Sequence, residues 1–507
     1  MADKQPESDR LDGFLCDTLK LASGSGLVQV FKALLSPLIT RLFLPRWLGI
    51  AQSFSAIGKT LGAVSALRYE TTIVLPQKKQ DAFHQLVLSL LLTTITSLSA
   101  LALVLIFGTQ ISTLLNAPEL AQFIWVAPLL AAVLGYSLAF QEWFARAEDY
   151  GVLSGAIIAN GLIWNGGTAA LGFVGLASAG AMILSQVAGQ AAALLRMGLR
   201  FIREELPARL KEFKWEKLWS GLRAFKKFPQ FNILSKLLDN ASLYTPPILL
   251  SAFFSPSAAG YYSLSYNVLE VPVMLIGQAV SQVLYQRAPS TVREGKIGSL
   301  VESTLHQLMA LGAYVFFVLA IIGRELFTFV FGSAWTDAGA FAQILSPWMF
   351  LVFLTIPMEK LPAIHGRNEN ILVFHLVNVA LRITALVVGG LRGSMDTALW
   401  MLAGSGMLVY LGNLVWVCTL SGMPVRKTIF LLVKNLSICA LGLLPVILLK
   451  ILFGFNGLPQ WFVPLQNTLL ILTALLAGGV YYFVVFSRDA GLRELITSLA
   501  KKRLIKS

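Results

Sequence analysis

The stretch SGSGLVQVFKALLSPLITRLF, from Ser23 to Phe43, is apolar and long enough to cross a bilayer as one helix. A membrane-spanning helix needs about 20 mostly apolar residues. Lys32 lies near the middle of this stretch, where lipid tails would surround any side chain that faced outward. The stretch therefore predicts a membrane fold and, for one of its residues, a polar environment inside that fold.

The rest of the chain has the same apolar character. Of its 507 residues 56% are hydrophobic and 13% are charged, and its mean hydropathy is +0.71. A soluble domain carries about 25% charged residues, so a large soluble domain is excluded. No alternating barrel pattern is present, which leaves helices as the structures that satisfy their backbone in lipid. We predict an all-α integral membrane protein with about fourteen transmembrane helices, at 21–43, 48–74, 83–108, 119–143, 150–171, 174–200, 225–252, 258–287, 298–322, 338–359, 369–390, 396–419, 428–452 and 461–486.

The basic residues predict the topology. There are 40 Lys and Arg against 26 Asp and Glu, a formal net charge of +14, and most of the basic residues fall in alternate loops. This distribution follows the positive-inside rule and does not indicate a nucleic-acid surface. Both termini, 1–20 and 487–507, and the basic loop 201–224 are therefore predicted to be cytoplasmic. The C-terminal segment also reads as a short amphipathic helix on the membrane surface.

The two halves of the chain contain an internal repeat. Two segments read alike: SPLITRLFLPRWLGIAQSFSAI at 36–57 and TPPILLSAFFSPSAAGYYSLSY at 245–266. Each contains a short turn of the form Pro-x-x-x-Gly, Pro45 to Gly49 in the first and Pro256 to Gly260 in the second. Six predicted helices separate the copies, so both turns follow a helix of the same direction. Parallel six-helix halves around a central site are a recurring transporter plan.

Four motifs resemble those of the polysaccharide-transporter, or Wzx-type oligosaccharide flippase, family of the multidrug/oligosaccharidyl-lipid/polysaccharide exporter superfamily. They are SPLITRLFLPRWLG, LRYETTIVLP at 67–76, FPQFNILSKLLDN at 228–240 and GYYSLSYNVLEVPVMLIGQAVSQVLYQRA at 260–288. The resemblance covers about residues 21–290, and only hydropathy agrees beyond that range. Many members of the family have twelve helices, whereas fourteen are predicted here, and lipid II flippases of the same superfamily carry an extra pair.

The resemblance implies a V-shaped bundle of two six-helix lobes and a C-terminal helix pair. The predicted divisions are an N-lobe at 21–200, a C-lobe at 225–420 and the last two helices at 421–486. It further implies ion-coupled alternating access that carries undecaprenyl-pyrophosphate-linked oligosaccharide across a bacterial inner membrane. The product would be O-antigen (lipopolysaccharide), capsule or exopolysaccharide, and a polysaccharide polymerase is an expected partner. A lipid II-type flippase or a multidrug exporter of the same superfamily remains the alternative.

Several charged residues are predicted near the membrane midplane. Lys32, Lys59, Lys236, Glu270 and Arg382 each lie about ten to twelve positions into a predicted span. Four cations facing lipid would cost on the order of 10–14 kcal/mol, which is comparable with the stability of a whole domain. These side chains are therefore expected to face a wet cavity, an acidic partner or an anionic ligand.

Pairing within the protein is one explanation for these cations. Lys236 could pair with Asp239 one turn away, and Glu270 with Lys32 or Arg382. However, four cations meet only two central acids, so the surplus favours a cavity that accepts an anion such as a pyrophosphate. Glu270 and Asp239 are then candidates for ion coupling, to H⁺ or Na⁺, because a buried carboxylate can bind a proton in one state and release it in the other. The alternative is that each acid only neutralises a neighbouring cation.

Arg68, Glu70 and Arg287 lie at the predicted cytoplasmic ends of their helices and are candidates for a gate. The alternative, a local salt bridge or a positive-inside anchor, is favoured over the gate.

Other activities lack their sequence signatures. SFSAIGKT at 53–60 is close to a phosphate-binding loop, but the first glycine is missing and the segment lies inside an apolar span. Cys16, Cys418 and Cys439 have no metal or redox spacing, so no metal or other cofactor is expected. An enzyme would need a positioned acid, base or nucleophile, and none is apparent. Transport is therefore favoured over catalysis and over a structural or channel role.

Overall fold

The computed structural model describes residues 7–211, 213–364, 367–455 and 463–488, and this part of the chain contains helices and no strand. Ten of its helices are long and apolar enough to cross a membrane. The all-α membrane fold is thereby confirmed, whereas the number of fourteen spans stays a prediction. The other four predicted spans, at 21–43, 48–74, 150–171 and 225–252, contain helix as well but do not meet the same limits of length and apolarity. The predicted surface helix at 487–507 lies almost wholly outside the described residues.

The chain divides into two compact units, Met1–Gly260 and Tyr261–Ser507. The helices of the first unit are α1 Glu7–Leu42, α2 Pro45–Val64, α3 Lys79–Leu114, α4 Ala127–Arg146, α5 Tyr150–Gly161, α6 Gly167–Phe173, α7 Ala179–Glu204, α8 Leu206–Leu210, α9 Trp215–Ala224 and α10 Lys227–Phe253. A π-helical segment, Leu162–Gly166, joins α5 to α6. The predicted lobes at 21–200 and 225–420, and their V-shaped arrangement, stay predictions.

The helices of the second unit follow from α11, which begins just before the division. They are α11 Pro256–Pro272, α12 Gln278–Arg293, α13 Ile297–Phe331, α14 Thr336–Thr355, α15 Leu361–Ile364, α16 Asn368–Leu391, α17 Met395–Leu420, α18 Val425–Phe455 and α19 Val463–Arg488. A second π-helical segment, Val273–Gly277, joins α11 to α12. Helices α18 and α19 pack on α13, where the hydroxyls of Tyr314 and Tyr482 donate to the carbonyls of Ala474 and Leu311 at 2.6 and 2.8 Å.

The two Pro-x-x-x-Gly segments of the repeat, which were predicted as turns between helices, are the helical first turns of α2 and α11. They contact each other within the first unit. A Cβ atom on Gly49 would lie 1.6 Å from the carbonyl oxygen of Pro256, and one on Gly260 would lie 2.0 Å from that of Pro45. The contacts are thus reciprocal, with each glycine against the proline of the other copy. Proline suits the first turn of a helix, because its missing N–H would have no partner there, and both α2 and α11 begin at these prolines.

The predicted span at 48–74 is too long. Helix α2 ends at Val64, and Leu67 and Arg68 adopt the left-handed conformation, with φ of 51° and 64°. A short 3₁₀ turn, Tyr69–Thr72, follows. The break falls in the polar segment SALRYETT at 65–72, and the apolar residues Ile73 and Val74 that follow it extended the predicted span too far. The break is supported from α3, where the hydroxyl of Thr96 donates to the carbonyl of Ser65 at 2.6 Å.

The segment predicted as a basic loop, 201–224, is largely helical. Helix α7 continues to Glu204, and α9 lies against α3. The side chain of Lys217 pairs with Asp81 at 2.6 Å, and the backbone N–H of Lys214 donates to His84 Nε2 at 3.0 Å. The apolar side of α9, which includes the buried Leu218, explains why this segment folds onto the bundle and does not extend into solvent.

Candidate functional site

Lys59 lies against two aromatic rings within the first unit. Its Nζ is 5.3 Å from the ring centroid of Trp164, in the π-helical segment, and 5.8 Å from that of Tyr244, in α10. A cation this close to aromatic faces is stabilised by about 0.5–2 kcal/mol, more where water is excluded. Since α2 ends at Val64, Lys59 lies five residues from the end of its helix. Its predicted depth near the membrane midplane stays a prediction.

The polar stripe that precedes Lys59 faces the interior of the unit. Ser55, one turn earlier on α2, is buried and donates to Gln186 Oε1 of α7 at 2.5 Å. The amide nitrogen of Gln186 is also buried and has no hydrogen-bond partner among the described residues. A buried unsatisfied amide costs roughly 1–3 kcal/mol, so this interior is suited to a further acceptor.

Lys236 shares one side of α10 with a ring that contacts Lys59. Residues four apart lie on the same helix face, which places Lys236, the buried Asn240 and Tyr244 along one side of α10. Lys236 and Asp239 are both partly buried. Lys236 therefore lies about two turns from Tyr244, on the side of α10 that Lys59 contacts.

Lys32 occupies a different environment. It is exposed on α1, whose packing side meets α5. On that side a Cβ on Gly24 would overlap Ser154, and Val28 fills the space beside Gly161. Exposure on a helix within the predicted span agrees with either a wet cavity or a lysine that extends toward the membrane surface.

Arg382 is the most deeply buried of the predicted cations. It is 4% exposed, and its guanidinium lies 4.7 Å from the ring centroid of Trp348 in α14. The hydroxyl of Tyr410, in α17, is within hydrogen-bonding reach of both Arg382 and Asn378. Trp348 is itself fully buried against Gly406, where a Cβ atom would lie 2.5 Å from the indole nitrogen.

Glu270 belongs to the same cluster of the second unit. It lies near the end of α11, three residues before the π-helical segment, and it acts electrostatically on Tyr262 and Tyr266, as Arg382 does. The two tyrosine rings stack with their centroids 5.8 Å apart. π-Helical turns are rare and occur often at functional sites, and here one holds Trp164 and the other adjoins Glu270.

Two of the three predicted gate residues form a salt bridge. Arg68 Nη1 and Glu70 Oε1 are 2.8 Å apart, in the turn between α2 and α3. Arg287 lies in α12, but its side chain is outside the described residues. The gate stays a prediction, and the local salt bridge that was its alternative is present.

The described residues contain no group of His, Cys, Asp and Glu side chains that could hold a metal ion. Cys418 and Cys439 are free and buried, and the side chain of Cys16 is outside the described residues.

Sequence reasoning missed the aromatic partners of the cations. The partners all lie inside predicted spans and are Trp164, Tyr244, Trp348 and Tyr410. For Tyr244 there was a signal, because the four-residue spacing of Lys236, Asn240 and Tyr244 places them on the same polar side of a helix. No local pattern marks the others, because they lie on helices far along the chain from the cation that they contact.

A family described as polysaccharide biosynthesis protein matches this chain over residues 38–340. The succinoglycan biosynthesis transport protein ExoT of Rhizobium meliloti is 22% identical over 482 residues, which are 92% of this chain and 91% of that protein. The teichuronic acid biosynthesis protein TuaB of Bacillus subtilis is 24% identical over 190 residues. That match spans 36% of this chain and 38% of the length of TuaB.

Solved structures share the fold at low sequence identity. The lipid II flippase MurJ in an inward closed conformation superposes with a TM-score of 0.64 at 13% identity, over 91% of this chain and 99% of that one. An inward-facing multidrug resistance transporter of the MATE family superposes with a TM-score of 0.59 at 13% identity, over 80% and 98%. At this identity the likeness concerns the fold alone.

Proposed function

Because the chain belongs to the polysaccharide biosynthesis protein family, we propose that it flips an undecaprenyl-pyrophosphate-linked oligosaccharide from the cytoplasmic to the periplasmic leaflet of a bacterial inner membrane. The chain is a multi-pass membrane transport protein and not an enzyme. The proposal adds the substrate, the coupling ion, the membrane and the cytoplasmic position of both termini. ExoT, which is similar along nearly its whole length, is named for succinoglycan transport, and this favours a surface polysaccharide as the product.

The observation that carries the proposal is that each unit holds a cation against aromatic rings within its apolar helices. Lys59 has Trp164 and Tyr244, and Arg382 has Trp348. Aromatic contact stabilises a cation without neutralising its charge. A pyrophosphate between a lipid and a sugar is an anion, and Arg and Lys are the side chains that recognise phosphate.

Lys32 and Lys236 are proposed to serve the same head group from the first unit. We propose Glu270 and Asp239 as the coupling acids, with H⁺ or Na⁺ as the ion. Glu270 acts on the same tyrosines as Arg382. A change in the charge of Glu270 would therefore alter the electrostatic field in which the head group binds. Binding of the ion would in this way be coupled to binding of the head group.

The experiment that tests the proposal is deletion of the gene in its own host, followed by analysis of the lipid-linked glycans. An undecaprenyl-linked oligosaccharide should accumulate on the cytoplasmic side, and surface polysaccharide should be lost. Accumulation of lipid II instead would favour the peptidoglycan precursor as substrate. Unchanged glycans together with sensitivity to toxic compounds would favour a multidrug exporter. Either of these results would overturn the proposed substrate.

A further inference from the structure

The turn between α2 and α3, residues 65–78, holds a buried acid with an unsatisfied oxygen. The Glu70 side chain is 3% exposed, and its Oε1 accepts from Arg68 Nη1 at 2.8 Å. Its Oε2 is buried and has no hydrogen-bond partner among the described residues, and the same is true of Arg68 Nε. A buried carboxylate with one oxygen unpaired is costly, because water no longer solvates the charge.

A second carboxylate acts on this pair. The negative charge of Glu142, which is partly buried on α4, disfavours the charged form of Glu70. The positive charge of Arg68 favours the charged form of both acids. Arg68 pairs with Glu70 and acts on Glu142 electrostatically, so the three groups when ionised carry one surplus negative charge. Two acids near each other do not both ionise easily, so one of them retains a proton more readily.

The other charged groups around the turn act on other partners. Lys79 pairs with Glu205 at 2.6 Å, and Lys78 acts electrostatically on Asp81. Arg146 of α4 donates to the carbonyls of Pro76 and Gln77, at 2.6 and 3.1 Å. On α3, Asp81 pairs with Lys217 of α9. The imidazole of His84, also on α3, accepts from the backbone N–H of Lys214. Arg68 and Glu142 are thus the charged groups that act on Glu70 itself.

We propose that Glu70, Glu142 and Arg68 form a proton-binding site in which one proton replaces the missing second cation. The proton comes from solvent and forms an O–H bond at Glu70 Oε2, the oxygen that now has no partner. The net charge of the cluster rises from −1 to 0, and no other bond forms or breaks. Burial raises the pKa of the Glu70 carboxyl and Arg68 opposes that shift, so the proton is held at a higher pH than by an ordinary glutamate.

Protonation of Glu70 would make the backbone conformation of the turn less constrained. Leu67 and Arg68 both have positive φ, which side-chain-bearing residues rarely adopt, and the charged pair of Arg68 with Glu70 helps to hold them there. A neutral Glu70 attracts Arg68 less, so the end of α2 that carries Lys59 would be less constrained. This consequence for coupling rests on the proposed transport function, whereas the proton site does not.

The proton site is tested by infrared difference spectroscopy of the purified full-length protein during a pH titration. We expect the infrared band of a buried protonated carboxyl group, with a titration midpoint at higher pH than that of exposed glutamates. This band should disappear in Glu70→Gln and persist in Glu119→Gln. Glu119 is a suitable control because its side chain is 43% exposed in an ion pair with Arg46. If the wild-type protein lacks this band, or if Glu70→Gln retains it, the proposal is wrong.

Glu142→Gln tests the same cluster even if Glu70→Gln does not fold, because it leaves the Arg68–Glu70 pair intact. Removal of the neighbouring negative charge should move the titration midpoint of Glu70 to lower pH. An unchanged midpoint would contradict the shared site. Replacement of potassium by sodium at constant pH should leave the midpoint unchanged, and a shift would mean that the site takes a metal cation and not only a proton. None of these measurements depends on which substrate the protein carries, so a failure here is distinct from a failure of the transport experiment.

Discussion

The reciprocal contact of the two repeat turns makes a sharp prediction about stability. A Cβ atom and a neighbouring heavy atom almost never approach within 3.0 Å, yet a Cβ on Gly49 would lie 1.6 Å from the carbonyl oxygen of Pro256. The backbone at the start of α11 would have to retreat by about 1.4 Å to make room. Both atoms belong to backbone or to a rigid Cβ, so no side-chain rotation can relieve the overlap.

Gly49→Ala is therefore expected to cost at least the upper part of the usual range for overpacking, about 3 kcal/mol. Gly260→Ala should cost a similar amount, because its Cβ would lie 2.0 Å from the carbonyl oxygen of Pro45. The double variant should cost less than the sum of the two, since one separation of the turns relieves both overlaps.

The assay is the apparent midpoint of thermal unfolding of the purified protein in one detergent, at one heating rate. Gly198→Ala in α7 and Gly412→Ala in α17 are matched controls, because neither added Cβ would meet an atom within 4 Å. In a helix these controls should be neutral or stabilising by up to about 1 kcal/mol. Unfolding of Gly49→Ala or Gly260→Ala at the midpoint of the controls would refute the close contact.

Four further predictions concern the cations and the topology. Lys59→Arg should export more glycan than Lys59→Ala at equal protein levels, because arginine keeps a cation that can contact both the rings and an anion. Equal export by the two variants would show that transport does not need a positive charge at this position. Arg382→Lys should lower the stability by about 2 kcal/mol, because an ammonium cannot stack on Trp348 as a guanidinium does, and an unaltered melting midpoint would count against that contact. Lys32→Ala should insert normally but reduce export, as judged by complementation of the deletion strain, and parental export would mean that Lys32 only extends toward the membrane surface. A cysteine at Ser220 should resist an impermeant thiol reagent added to intact cells while one at Ser255 reacts, and labelling at Ser220 would invert the predicted topology.

One part of the candidate site, the positions of its charged residues, could be predicted from the local sequence, and the other part, their contact partners, could not. The positions of the charged residues within apolar segments were visible in the sequence, because the cost of a charge in lipid is a property of its own span. Their partners were not visible. Lys59 meets Trp164 and Tyr244, which lie about 105 and 185 residues further along the chain, and such distant contacts are decided by how the helices pack.

The amino-acid sequence by itself determined that this is a helical membrane protein with a repeated Pro-x-x-x-Gly turn. Both properties are local: apolar runs must form helices in lipid, and a turn is specified by its own residues. Only the tertiary structure decided that α2 stops at Val64, that α9 packs on α3, and that the two repeat turns touch. Each of these depends on atoms from segments distant in the chain, such as the Thr96 hydroxyl at Ser65 and the His84 imidazole at Lys214. A hydropathy pattern records how each residue partitions into lipid, but it contains no information about which residue of another helix it will meet.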